Sequence, residues 1–174
     1  GMLLAAGRLS QRKNFALAID VLSYLPDHTL TIVGYGEESG ALRAQANRVA
    51  PGRVTFIPQL SSRGLANLMA AAGTLLVTSY EEGFCLVAAE AMAVGLPVIS
   101  TRCGGPEHFL PQSWVMSGSM AAEMATLVKS VRNQDAVAHV TQSWTAATYV
   151  RRIEGIYRSA LHGAVVPIEA MGAA

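Results

Sequence analysis

Aspartate, lysine and cysteine are all scarce in this chain of 174 residues. Asp occurs only at Asp20, Asp27 and Asp135, so no Asp-x-Asp pair is present to hold a divalent metal, and no metal ligand is expected. The only lysines are Lys13 and Lys129, the formal net charge is +1, and no basic run occurs. That leaves no electrostatic footprint for nucleic acid. Cys85 and Cys103 are the only cysteines. Neither their number nor their spacing builds a disulfide framework or a zinc site, and a reducing, cytoplasmic setting is expected. Hydrophobic residues make up 51% of the chain and the mean hydropathy is +0.33. Even so, no apolar run is long enough for a membrane span, because Glu90 and Pro97 interrupt the best candidate. The apolar surplus points instead to a face that docks another domain. The LLAAG run after Met2 reads as a strand rather than a signal peptide. A length of this order suits one domain spanning residues 1–174.

What is present is an alternation of apolar strands and amphipathic helices. Met2 to Ala6 reads as a strand. Phe15, Ala18, Ile19, Leu22 and Leu25 then share one helical face, ended by Pro26. Further strands are expected at Leu30 to Val33, Val54 to Ile57, Leu75 to Thr78 and Val98 to Ser100, with a short sixth at Trp114 to Met116. Helices are expected from about Glu37 to Val49, Arg63 to Ala72, Met120 to Val131 and Gln142 to Leu161, with a frayed tail from His162. Crossovers of this length imply a Rossmann-like α/β domain, a doubly wound parallel sheet of about six strands with helices on both faces. In such sheets ligands bind outside the carboxyl ends of the strands, where strand order reverses. The loops carrying Arg8, Gly34 and Glu82 each follow a strand and therefore open on that edge.

The stretch from Tyr80 to Ser100, YEEGFCLVAAEAMAVGLPVIS, carries the most information. Acidic residues and a glycine lead into an Ala-rich helix that stops at Gly95, before Pro97. Glu82 and Glu90 are separated by seven residues, about two helical turns. A helix starting near Phe84 leaves the amides of Gly83, Phe84, Cys85 and Leu86 as unpaired donors suited to a phosphate. Glu90, roughly 9 Å further on at 1.5 Å per residue, would reach groups beyond that phosphate.

This stretch resembles the nucleotide-sugar-binding motif of retaining GT-B glycosyltransferases of the large family four, in which a Glu, seven residues and a second Glu open the donor site. Tyr80, Glu82, Gly83 and Phe84 match the motif, whereas Cys85 stands where the family has glycine. The resemblance implies that Glu82 contacts the transferred sugar and Glu90 the ribose hydroxyls. GRLSQRKNF is similar to the family's first signature, with Gly7 and Arg8 after the first strand and Lys13 five residues on. There the Arg and Lys clamp the donor diphosphate. Two fixed cations can neutralise the charge growing on a departing diphosphate without a metal. Removing Lys13 is expected to leave fold stability almost unchanged. Gly34 and Gly36 match the family's Gly-x-Gly after the second strand, which places Gly34 near the donor, and Pro58 follows the third strand on the same edge. Gly104, Gly105 and Glu107 fit the family's loop after the fifth strand. The four histidines have no partners at ligand spacing.

From Gly7 to about Leu161 the resemblance implies the carboxyl-terminal, donor-binding domain of a GT-B enzyme. Such a domain binds a UDP- or GDP-sugar for retaining transfer, with no cofactor beyond that substrate. Its partner would be an N-terminal acceptor domain in the same or another chain, and this chain alone is expected to transfer nothing. Two alternatives stand beside it. A non-catalytic nucleotide-sugar-binding module rests on Cys85 in place of glycine. An NAD-binding Rossmann domain rests on Gly34, Gly36 and Gly40, but no acidic residue ends the strand that follows.

Overall fold

The computed structural model describes residues 1–132, 134–136 and 139. The helix expected from Gln142 to Leu161 and the tail from His162 lie outside the described residues. Five strands, β1 (Met2–Ala6), β2 (Thr29–Val33), β3 (Val54–Ile57), β4 (Thr74–Val77) and β5 (Val98–Ser100), form one sheet in the order β3-β2-β1-β4-β5. Every pairing is parallel. Leu3, Leu4, Leu30, Ile32, Leu75, Leu76, Val98 and Ile99 are all buried in the core. Near-continuous apolar strands are what a parallel sheet covered on both faces requires.

Among the described residues, helices α1 (Phe15–Val21), α2 (Ser39–Val49), α3 (Ser62–Ala71), α4 (Leu86–Ala93) and α5 (Ala121–Ser130) connect and cover the strands. α1 packs against α2 and α5, whereas α3 packs against α4. Strand order runs outward from β1 in both directions, so right-handed crossovers put these two groups on opposite faces of the sheet. The order reverses between β1 and β4, and that is the switch point.

Local chemistry sets the helix ends. Ser61 caps α3 by accepting the Gly64 amide at 3.1 Å. α4 ends in a Schellman motif, with Gly95 at φ 79°, its amide donating to Met92 O and the Leu96 amide donating to Ala91 O, both at 2.9 Å. Leu96 is buried, which accounts for the abrupt stop before Pro97 and β5.

The sheet has five strands rather than about six. Trp114 to Met116 emerges from a 3-10 turn at Gln112–Trp114 and makes a single parallel bridge, Val115 to Ser100. β5 is only three residues long, so no ladder is left for that segment to extend.

The loops after β1, β2 and β3 are joined backbone to backbone at the carboxyl edge. Gly7 N–H donates to Val33 O at 2.9 Å, Leu9 N–H to Tyr35 O at 2.9 Å, and Gly34 N–H to Ile57 O at 2.8 Å. A Cβ on Gly34, where φ is 148°, would stand 1.8 Å from Gly7 O. Gly34 is therefore required by close approach as well as by its dihedral.

Gly34→Ala is expected to cost more than about 3 kcal/mol, a loss reserved for overpacking combined with a strained backbone. Gly40→Ala, on α2 with nothing within 4 Å of the new Cβ, should gain about 0.4 to 1 kcal/mol by reducing unfolded-state entropy. Urea denaturation of the two variants checks both signs.

Candidate functional site

A cleft of about 470 Å³ opens at the switch point. Its walls come from the ends of β1, β2 and β3 and from the first two turns of α4. Gly7, Arg8, Gly34, Pro58, Leu86 and Glu90, all singled out in the sequence, line this one space. Tyr35, Gln59 and Leu65 line it as well and carried no motif signal. Glu90 faces the cleft from α4, one turn beyond Leu86, and is exposed. Arg8 is also exposed and sits 3.5 Å from Glu37, a solvated pair of small energetic weight. Its guanidinium is free to exchange that partner for an anion in the cleft.

Lys13, Glu82 and Cys85 lie together around a small adjoining cavity that shares Ala6 and Val87 with the cleft. Lys13 Nζ donates to Glu82 Oε1 at 2.5 Å. Ser79 Oγ donates to the same oxygen, also at 2.5 Å. The Lys13 side chain is 21% exposed and that of Glu82 only 8%. Lys13 is therefore a half-sheltered partner of an almost buried carboxylate rather than a surface cation whose removal costs the fold little. Its removal would leave that carboxylate without a counter-charge, so it bears on stability.

The backbone around this pair is fixed from three sides. Thr78 Oγ1 donates to Lys13 O at 2.9 Å, and Tyr80 N–H to Arg12 O at 2.9 Å. Thr101 Oγ1 donates to Ser79 O at 2.6 Å. Glu82 N–H donates to Cys103 O at 2.7 Å, and Gly105 N–H to Glu82 O at 3.0 Å. The loops after β1, β4 and β5 thus meet at Glu82. Gly83 and Phe84 do not line the cleft. They pack on the loop after β5, where a Cβ on Gly105 would lie 2.4 Å from Gly83 O and the Phe84 ring meets Phe109 at 5.2 Å.

α4 starts at Leu86, two residues later than expected from Phe84. Cys85 occupies the N-cap with φ 68° and ψ 67°, a left-handed conformation that favours glycine. The amides of Leu86 and Val87 find no acceptor among the described residues, and both residues border the cleft. Unused amides at a helix start are suited to an anion. The Cys85 thiol is pushed up to about 11, first by burial and then by the Glu82 carboxylate. Burial likewise raises Cys103.

A parallel sheet with a cleft at its switch point defines a Rossmann-like α/β domain. Residues 1–144 match the family model for glycosyl transferases group 1. The chain belongs to that family. D-inositol 3-phosphate glycosyltransferase of Mycobacterium sp. (strain KMS) is 36% identical over 106 residues, which is 57% of this chain and 24% of that protein. The enzyme of the same name from Mycobacterium tuberculosis (strain H37Ra) is 33% identical over 105 residues, 57% of this chain and 22% of its own. The matched stretch is thus about a quarter of the length of these curated relatives. Among solved structures, Anabaena HepE in complex with UDP superposes with a TM-score of 0.75 at 24% identity, covering 91% of this chain and 48% of that one. The catalytic domain of cholesterol-α-glucosyltransferase from Helicobacter pylori superposes at 0.72 and 16% identity, covering 82% and 96%. These likenesses establish the GT-B type of Rossmann-like fold.

Both thiols are buried, and the ionised form of Cys85 is disfavoured. At pH 8 its thiolate fraction should be about a hundredfold below that of a free cysteine. Iodoacetamide labelling followed by mass spectrometry is expected to leave the native chain unmodified while a free-cysteine peptide reacts, with two labels appearing once urea unfolds the chain. Rapid alkylation of native Cys85 would contradict the site geometry.

Proposed function

We propose that this chain is the donor-binding domain of a retaining glycosyltransferase and grips a nucleoside diphosphate sugar, with uridine or guanosine as the base. The observation that carries this reading is the convergence of Arg8, the free amides of Leu86 and Val87, and Glu90 on one cleft, with the Lys13–Glu82 pair beside it. Ribose hydroxyls donate to Glu90. The diphosphate lies between Arg8, Lys13 and the start of α4. The transferred sugar reaches Glu82. Lys13 can serve both partners, since an ammonium has three donors and Glu82 takes one.

Two cations and a helix start supply the charge stabilisation that a leaving diphosphate needs, so no metal and no further cofactor is required. Retention follows if the departing diphosphate itself deprotonates the acceptor on the same face of the sugar, so no protein base is assigned. HepE, a fold neighbour, was crystallised with UDP, and the mycobacterial relatives are named glycosyltransferases. Their greater length supports an N-terminal acceptor domain as partner, in the same or another chain, and the two unbridged cysteines suit a cytoplasmic setting. The chain by itself then binds donor and transfers nothing.

Calorimetry with UDP-, GDP- and ADP-sugars tests this reading. One of these donors is expected to bind equally well with magnesium and with EDTA. Glu90→Gln should weaken the nucleotide and its sugar conjugate alike, by about 1.5 to 3 kcal/mol for a charged hydrogen bond. Glu82→Gln should weaken the conjugate selectively. Absence of binding up to millimolar donor would overturn the proposal, and strict magnesium dependence would remove its metal-free part.

A further inference from the structure

Glu82 uses its two carboxylate oxygens unequally. Oε1 accepts both the Lys13 ammonium and the Ser79 hydroxyl, each at 2.5 Å, while Oε2 takes no hydrogen bond among the described residues. Ser79 is buried, and its own position is set from behind by Thr101 Oγ1, which donates to Ser79 O at 2.6 Å from the end of β5. Its neighbour Thr78, also buried, holds the other half of the pair by donating to Lys13 O. A single lysine contact would leave the carboxylate free to swing about the Nζ–Oε1 axis. A second donor on the same oxygen, from a residue three positions away on a fixed backbone, removes that freedom.

We infer that Ser79 is a positioning residue, whose hydroxyl fixes the Glu82 carboxylate so that Oε2 is the oxygen presented to the sugar hydroxyls of the donor. The inference rests on the donor-binding reading above and adds to it a determinant of sugar recognition. Ser79 thus acts through Glu82, to which its buried hydroxyl is committed, rather than by contact with the ligand. The hydroxyl therefore matters when a sugar is present and hardly at all for the nucleotide. A Ser79 that merely supports the fold would affect both ligands to the same extent.

The test compares wild type and Ser79→Ala in calorimetric titrations with UDP and UDP-glucose, or with GDP and GDP-mannose should the guanosine series bind. Ser79→Ala should weaken the sugar conjugate by about five- to tenfold, the order expected from loosening one charge-assisted hydrogen bond, and shift the free nucleoside diphosphate by less than about twofold. Equal losses for both ligands, or no loss for either, overturn the inference while leaving the donor-binding reading intact. A wild-type chain that binds neither ligand overturns both. If Ser79→Ala does not fold, a crystal structure of the wild-type chain with the sugar conjugate decides: Ser79 Oγ should remain on Oε1 with a sugar hydroxyl on Oε2. A complex in which Ser79 has released Glu82, or in which Oε1 faces the sugar, overturns the inference.

Discussion

Lys13 and Glu82 are 69 residues apart in sequence, and their ion pair ties the loop after β1 to the loop after β4 across the switch point of the sheet. An almost buried carboxylate is costly to leave without a counter-charge, and Lys13 is its only cationic partner among the described residues. That one constraint orders much around it. The Ser79 hydroxyl donates to the carboxylate, the Thr78 hydroxyl donates to the backbone carbonyl of Lys13, and the backbone of Glu82 bonds to Cys103 and Gly105 after β5. The ends of β1, β4 and β5 then behave as one rim. On the other side of the cleft no charge is needed, because Gly7 and Gly34 let the loops after β1 and β2 meet backbone to backbone.

The contrast between the two cations follows from this arrangement. Arg8 is solvent-exposed and paired only loosely with Glu37, so an anion in the cleft can recruit it at little cost. Lys13 is held in place before any ligand arrives, and electrostatic stabilisation is most effective when it needs no reorganisation at the moment of reaction. In the proposed donor site, a rigid cation on one side and a recruitable one on the other would suit a ligand whose charge grows as a bond breaks.

Much of the fold was legible because strand and helix signals in this chain agree with one another. The apolar runs and the Gly95-x-Pro97 exit set the element order to within one or two residues at most ends, whereas α1 stops at Val21, short of the Leu25 and Pro26 expected to end it, because Leu22 to Leu25 pass into turns whose amides bond three residues back. The extra strand failed because Trp114 to Met116 has strand-like side chains but only one bridge to the three-residue β5. The edge that carries Arg8, Gly34 and Glu82 follows from topology alone. What one-dimensional pattern could not supply was side-chain direction. Glu82 turns toward Lys13, Gly83 and Phe84 turn toward Gly105 and Phe109, and Cys85 takes a left-handed cap that delays α4 to Leu86. The contribution of Ser79 was hidden for the same reason, since a serine three residues before a glutamate reads as ordinary turn chemistry.

The Lys13–Glu82 coupling is the centre of this account, and a double-mutant cycle measures it directly. Urea unfolding of the ligand-free wild type, Lys13→Ala, Glu82→Gln and the double variant isolates the pair from its separate environments. Each single substitution should cost about 1 to 3 kcal/mol, and the double variant should lose less than their sum by at least about 1 kcal/mol. Strictly additive losses would mean that the two side chains do not depend on each other and that the rim is held by its backbone hydrogen bonds alone.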